Sequence, residues 1–337
     1  MLQDVLGRVS GGDDLSVEDM ADAIDEIMQG NSSDEEIGLF LTALHSKGET
    51  TDEIAGAATA MRRHMTPIRS SRANLVDTCG TGGDGSGTFN ISTAAAIVAA
   101  ASGVSVAKHG NRRITSKSGS ADVLTALGVN VEAPVTIVEK CLDELGICFC
   151  FAPQLHPAMR HVAGVRRQLG FPTIFNLLGP LSNPASAPYQ LLGVGKQAVC
   201  ELLATSLRKL GTQRALVVRG QDGLDEVTID GSTDVILVSP NSSESLQWSP
   251  EDFGVEASDK SSLLAGDPSQ SAAMIQRVLQ GETGPPRNIT VINAAAAIWT
   301  ADQHTSLEHC TKLAETAIDS GAAHALLVKL SETSNAC

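Results

Sequence analysis

The sequence predicts an α/β protein, with a small N-terminal α-helical domain ahead of a large α/β domain whose central sheet is mostly parallel. Three observations carry this expectation. The first seventy residues hold capped, amphipathic helical segments with no strand-like run between them. From Leu75 onward short apolar runs alternate with helical ones, the pattern of a sheet with crossover helices. Between the first such strand and its helix lies a loop in which five of the eight residues 80–87 are glycine. A length of 337 residues suits about two domains.

Each element has its own signal. Ser16 with Asp19 opens a helix that Gly30 closes. Ser33 with Glu36 makes a capping box for a helix that stops at Gly48, and its Ile37, Phe40, Leu41 and Leu44 fall on one face. Thr50 with Glu53 opens a third helix, expected to reach Met65 before Pro67. Residues 75–79 form the first strand, 91–102 an alanine-rich helix and 104–107 the second strand. Helices follow over 121–127 and 135–145, with a strand over 147–151. Strands are expected at 190–194, 215–218 and 234–238, with a helix over 197–210. The polar segment 240–268 reads as loop with one short element, and helices follow near 272–280, 291–300 and 307–318. The Gly- and Pro-rich run Leu178–Pro184 breaks the alternation and suits either a domain crossover or a long surface loop.

Composition excludes several function classes. Asp and Glu total 39 against 24 Lys and Arg, a net charge of −15, which opposes non-specific nucleic-acid binding. Ten aromatic residues leave few platforms for stacking bases. The apolar run Ala94–Ala101 is far short of the roughly 20 residues that span a bilayer, so no membrane partner is expected. The N-terminus lacks the basic and apolar regions of a signal peptide. Seven scattered cysteines without a C-x-x-C pair read as reduced thiols of a cytoplasmic protein.

The glycine loop carries the chemistry. Placed between a strand and a helix, it can turn backbone N–H groups inward on an anion. Gly80, Gly82 and Gly85 satisfy G-x-G-x-x-G, but no Asp or Glu lies between Asp84 and Asp122 to hold a dinucleotide ribose. The Gly195-Lys196 pair is followed by Gln197, so no Walker A loop is present. Asn90-Ile91-Ser92-Thr93 opens the next helix and adds hydroxyls to its N-terminal field. A second cluster, Lys108 to Ser120, places four cations in ten residues after the second strand, at the same end of the sheet. Asp225-Glu226 offers carboxylates suited to magnesium shared with substrate phosphates. Arg160, Arg166 and Arg167 suit either an anionic second substrate or an exposed helix face.

The runs GTGGDGSGTFNIST, KHGNRRITSKSGSADVLTALG, HPAMRHVAGVRRQLGFPTIFNLLGPLSNP and DGLDEVT, in that order and spacing, closely resemble the anthranilate phosphoribosyltransferase family over at least residues 75–230. The resemblance implies a helical domain over 1–73 joined by part of 169–188, and an α/β domain over 74–168 and 189–337, with homodimers formed through the helical domains. It implies transfer of a 5-phosphoribosyl group from phosphoribosyl diphosphate to anthranilate, with two Mg²⁺ per monomer. Residues matching the phosphoribosyl diphosphate site are Gly80, Gly83, Asp84, Thr88 and Asn90, Ile91, Ser92, Thr93. The second phosphate segment matches at Lys108, His109, Gly110, Asn111, Arg112, Arg113, Ile114, Thr115, Ser116 and then Ser120. Gly80, Asn111 and Arg166 match anthranilate contacts with His109 nearby, and Ser92, Asp225 and Glu226 match the metal ligands. Gly164 and Pro172 stand where the family more often has proline and arginine. Because the anthranilate amine is neutral near pH 7 and diphosphate leaves readily once neutralised, no obligatory nucleophile or base is expected. A pyrimidine nucleoside phosphorylase is the alternative enzyme, disfavoured by Asp225-Glu226 and by Asn111-Arg112. The non-catalytic nucleic-acid binders of this fold are disfavoured by the acidic charge.

Overall fold

The structure is a computed structural model that describes residues 2–113, 118–301 and 305–336. Four helices come first: α1 (Leu2–Ser10), α2 (Val17–Met28), α3 (Asp34–Lys47) and α4 (Thr51–Arg63). Ser16 Oγ accepts the Asp19 N–H, and both capping boxes form, at Ser33/Glu36 and Thr50/Glu53. These caps satisfy N–H groups that no helical carbonyl can reach. Helix α1 had no cap signal of its own, and α4 ends at Arg63, two residues before the expected Met65.

Next come β1 (Val76–Gly80), α5 (Ile91–Ala101), β2 (Val106–Gly110), α6 (Ser120–Ala126), α7 (Val135–Leu145) and β3 (Ile147–Phe151). The short α8 (Ala152–Leu155), α9 (Arg160–Leu169) and short α10 (Phe175–Leu178) follow, then β4 (Tyr189–Gly193), α11 (Cys200–Lys209), β5 (Arg214–Gly220), β6 (Thr233–Val238) and β7 (Ser243–Trp248). The chain closes with α12 (Pro268–Leu279), α13 (Pro285–Ala301), α14 (Leu307–Asp319) and α15 (Ala322–Ser334). Strand β2 starts two residues later than expected, and α13 starts six residues earlier. Segment 240–268 holds β7 and two 3₁₀ turns instead of one short element, and α15 carries no signal that the sequence reading found.

The seven strands among the described residues order as β3-β2-β1-β4-β5-β6-β7. The first five are parallel, while β6 and β7 add an antiparallel edge. Strand side chains alternate between faces, so neighbours in sequence enter different cores. Leu191 and Leu216 join the core around α5, whereas Leu192 and Val217 join the core shared with α4, α11 and the rest of the N-terminal bundle. Helix α5 is buried almost all round, which explains its alanines: small side chains let β1 on one side and α13 on the other approach closely. The crossover between β3 and β4 also serves the bundle, since Val162, Val165, Phe175 and Leu178 pack in its core.

Connections run outward in opposite directions from β1 and β4, which makes the gap between their carboxyl ends a topological switch point, the place where open α/β sheets bind ligands. Gly80 lies opposite Gly193 there.

Candidate active site

A cleft of about 500 Å³ opens at that switch point. The glycine loop forms one wall, the segment after β2 another, and Asp225 and Glu226 the floor. Gly82, Gly83, Gly85 and Gly87 all have φ between 65° and 77°, the left-handed region that turns successive N–H groups toward one side. The far end of this loop is fixed by a short antiparallel bridge between Thr88 and Leu264. At Gly193 the need is for space: a Cβ would lie 1.7 Å from the Asp225 carbonyl oxygen.

Asn90 precedes α5 but does not cap it with its side chain. Its Oδ1 accepts from Ser118 Oγ at 2.8 Å and from Ser271 Oγ at 2.9 Å, so it ties the glycine loop to the second wall and to α12. Ser92 sits in the first turn of α5, where its N–H donates to Glu226 Oε1 at 3.1 Å. The free N-terminal field of α5 therefore already faces a protein carboxylate. Lys108 is buried in the lining of the cleft, donating to the Thr78 carbonyl and to Ser92 Oγ. Burial pulls its ammonium below the ordinary lysine range, while Asp77, Glu226 and Asp225 act the other way. It is a counter-charge to the acids.

The acids are crowded. Burial, reinforced by the charge of Asp84, pushes Asp225 up to about 7. Burial and the neighbouring Asp225 lift Glu226 well above the usual range. Asp84 Oδ2 is buried with no hydrogen-bond partner, and Asp225 Oδ2 accepts from the Gly82 N–H at 3.2 Å. Hard oxygen donors that repel one another and hold an unpartnered oxygen fit a divalent cation. No group of three or more His, Cys, Asp or Glu side chains among the described residues could close around an ion. Asp225, Glu226 and the Ser92 hydroxyl therefore fit a magnesium that completes its shell with substrate phosphates and water, not an all-protein cage.

His109 is buried on β2, with Nδ1 donating to the Gly179 carbonyl at 2.9 Å and Nε2 facing His156 Nε2 at 3.2 Å. A carbonyl only accepts, so the proton sits on Nδ1. Burial and His156 pull His109 down to about 3, so the ring is neutral at working pH. Arg112 stands at the mouth, ion-paired to Glu132 at 2.7 Å and placed over the Phe151 ring. Gly110, Asn111 and Ser120 line the wall, with Ser120 Oγ donating to the Asn111 carbonyl at 3.4 Å.

Not every expected residue reaches the cleft. Thr93 is buried in α5 behind it, and Arg113 is held by its N–H on Asp122 Oδ2. Ile91 lines the cleft only at the helix start, its side chain being core. Ile114, Thr115 and Ser116 lie outside the described residues. Arg166 is not a lining residue: α9 presents it with its guanidinium over Phe175 and an N–H on Asn176 Oδ1 at 3.2 Å. Burial lowers its pKa, and no acid pairs with it among the described residues. Gly164 sits in α9 facing open space, so its departure from the family pattern touches no contact. Asp77, His156, Asn176, Asn183 and Ser271 support these groups without having been named as site residues; His156, Asn176 and Asn183 lie in the run that carries the resemblance, and Asp77 is a carboxylate inside an apolar strand.

Residues 72–324 match the model of a glycosyl transferase family α/β domain, and residues 3–65 match the helical bundle domain of a glycosyl transferase family. The anthranilate phosphoribosyltransferase of Rhodopirellula baltica is 49% identical over 329 residues, covering 98% of this chain and 96% of that one. The same enzyme from Moorella thermoacetica is 48% identical over 327 residues, with 97% and 96% covered. The chain belongs to the anthranilate phosphoribosyltransferase family. The crystal structure of the Thermus thermophilus family member superposes with a TM-score of 0.92 at 41% identity, covering 98% of this chain and 99% of that one. The Saccharomyces cerevisiae family member, in complex with PRPP and Mg, gives 0.86 at 30% identity, with 95% and 93% covered.

Proposed function

We propose that this cleft transfers the 5-phosphoribosyl group of phosphoribosyl diphosphate to the amine of anthranilate, yielding N-(5-phosphoribosyl)anthranilate and diphosphate, the second step from chorismate in tryptophan biosynthesis. The observation that carries the reading is the meeting, in one cleft, of a glycine cradle for phosphate with a crowded acid pair suited to magnesium. The glycine-loop N–H groups and the Asn90–Ser92 turn hold the substrate phosphates, with Asn111, Arg112 and Ser120 closing on them from the second wall. Bound Mg²⁺ neutralises the diphosphate and makes it a leaving group; we assign two ions per monomer, held by Asp225, Glu226 and Ser92. Lys108 offsets the charge of the acids.

Arg166 supplies the cation for the anthranilate carboxylate. Its guanidinium is half-buried, oriented by Asn176 and Phe175 and not neutralised by an acid among the described residues. Neutral His109 and the Gly80 backbone, which carries no side chain, offer the ring an uncharged face. The side chains orient the neutral amine toward the ribose carbon and exclude water; none is required to take a proton before attack. Since Arg166 lies on α9, which packs on the bundle, we place the hinge in the connections around 74, between α8 and α9, and around 188, so that closure brings Arg166 to the cleft. We further propose a homodimer through the helical bundle, where Leu39 of α3 stands 53% exposed, and a cytoplasmic setting, which suits the buried thiols of Cys79, Cys141, Cys148, Cys150 and Cys200. Light scattering of the purified chain checks the dimer.

The deciding assay mixes protein, phosphoribosyl diphosphate, Mg²⁺ and anthranilate and follows the loss of anthranilate fluorescence. Turnover of uridine or thymidine with phosphate, and none of anthranilate, would replace this reading by a nucleoside phosphorylase.

A further inference from the structure

The acid pair sits on a loop, yet the loop is pinned from outside by residues far along the chain. Asn293 lies on α13 and is fully buried. Its Oδ1 accepts the Val227 N–H at 2.9 Å, and its Nδ2 donates to the Val227 carbonyl at 2.8 Å. Val227 directly follows Glu226, so one side-chain amide reads both backbone groups next to the acid pair. Nδ2 also donates to the Ile289 carbonyl at 2.8 Å, which fixes the amide's orientation on its own helix. A carboxylate of the same shape could accept but not donate, and would face two carbonyls.

The other end of the loop is held by Lys260. Its ammonium donates to the Asp222 carbonyl at 2.9 Å and to Asp222 Oδ2 at 3.1 Å. Asp222 in turn shapes the loop from within, accepting from Leu224 N–H and Thr228 Oγ1, both at 3.2 Å. The segment that carries Lys260 continues into the strap that grips the glycine loop: the Leu263 carbonyl accepts from the Phe89 N–H, and the Ala265 N–H donates to the Gly87 carbonyl. The same short strap thus touches both the phosphate wall and the acid floor.

We infer that Asn293 and Lys260 are positioning residues that clamp the acidic loop, presetting Asp225 and Glu226 for Mg²⁺ shared with the diphosphate. The inference rests on the phosphoribosyl transfer reading above. Neither residue touches substrate; each acts by fixing backbone that would otherwise spread as the buried acids repel one another. Partners that orient metal ligands typically change metal affinity by about 10–100-fold.

The test measures metal binding without turnover. Free Mn²⁺ is counted by electron paramagnetic resonance as it is titrated into the full-length protein with phosphoribosyl diphosphate present and anthranilate omitted. Asn293→Ala weakens Mn²⁺ binding about ten-fold or more. Lys260→Met, a half-exposed surface change, weakens it about two- to five-fold. Lys312→Met, which breaks a surface pair on α14, leaves it unchanged. In the coupled assay the Mg²⁺ needed for half-maximal rate rises in the first two variants, while kcat at saturating Mg²⁺ is retained. Wild-type Mn²⁺ affinity in a folded Lys260→Met protein and in a folded Asn293→Ala protein overturns the clamp; should Asn293→Ala not fold, Lys260→Met alone decides. A wild-type protein that neither binds Mn²⁺ with phosphoribosyl diphosphate nor consumes anthranilate overturns the functional reading instead.

Discussion

The two sides of the cleft are built in opposite ways. The phosphate wall is local: Gly80 to Ser92 is one continuous stretch, and its curve follows from glycines at φ 65–77° and from the start of α5. The acid floor is assembled from a distance. Asp225 lies against Gly193 of β4, Glu226 on the Ser92 N–H, Val227 on Asn293 and Asp222 on Lys260. The difference follows the charge. Backbone N–H groups waiting for an anion cost little to expose to water, so a glycine run tied down at its two ends suffices. Two buried carboxylates repel, and only a surrounding framework holds them together.

Removing the floor should have the largest effect. The double change Asp225→Asn with Glu226→Gln lowers kcat/KM by at least about 1,000-fold, because diphosphate then departs uncompensated, while circular dichroism shows the fold retained. Activity near wild type would take both acids out of the metal site.

Next come changes that strike the framework without touching an acid. Gly193→Ala puts a Cβ 1.7 Å from the Asp225 carbonyl oxygen, so the loop or β4 must move. We expect a loss of about 3 kcal/mol in stability and a sharp fall in activity. Gly82→Ala meets no atom within 4 Å and is strained only by its φ of 65°. It should cost about 1–2 kcal/mol and raise the KM for phosphoribosyl diphosphate more than it lowers kcat. Equal effects of the two on Mg²⁺ dependence would erase the contrast between distant and local construction.

The metal-free protein should also report the crowding as a pH dependence. Asp225 has its pKa lifted from 3.8 to about 7 on folding, so the folded state binds that proton more tightly than the unfolded chain. The favourable contribution is present at low pH and is lost as pH rises from 3.8 through about 7. Asp225→Asn cannot ionise, so near pH 8 it should be more stable than wild type by a few kcal/mol, and near pH 4 the two should converge. Urea denaturation with a chelator present measures this, and added Mg²⁺ with phosphoribosyl diphosphate should shrink the gap. The smallest effect belongs to the rim: Arg112→Met loses an exposed ion pair with Glu132, worth at most about 1 kcal/mol, and should weaken phosphoribosyl diphosphate binding only at low salt.

Sequence by itself determined whatever depends on near neighbours. The caps at Ser16, Ser33 and Thr50, the alternation from Leu75 on, the glycine cradle and the Asp225-Glu226 pair are all set by residues within a few positions of one another, and all appear where they were expected. Tertiary structure decided the rest. It made Asn90 a tie between three segments, set Lys108 on the Ser92 hydroxyl, held the Arg113 backbone on Asp122 and left Arg166 on the bundle side of the crossover. It gave α15 and β7 a place by supplying a core and a neighbouring strand, which weak local patterns did not announce. The physical reason is one of range. A hydrogen-bonded cap or a left-handed turn is satisfied within its own few residues, whereas the protonation and placement of a buried charge depend on every group packed against it, and for Asp225 those groups come from Gly80, Gly82, Asp84 and Gly193, far from it in the chain.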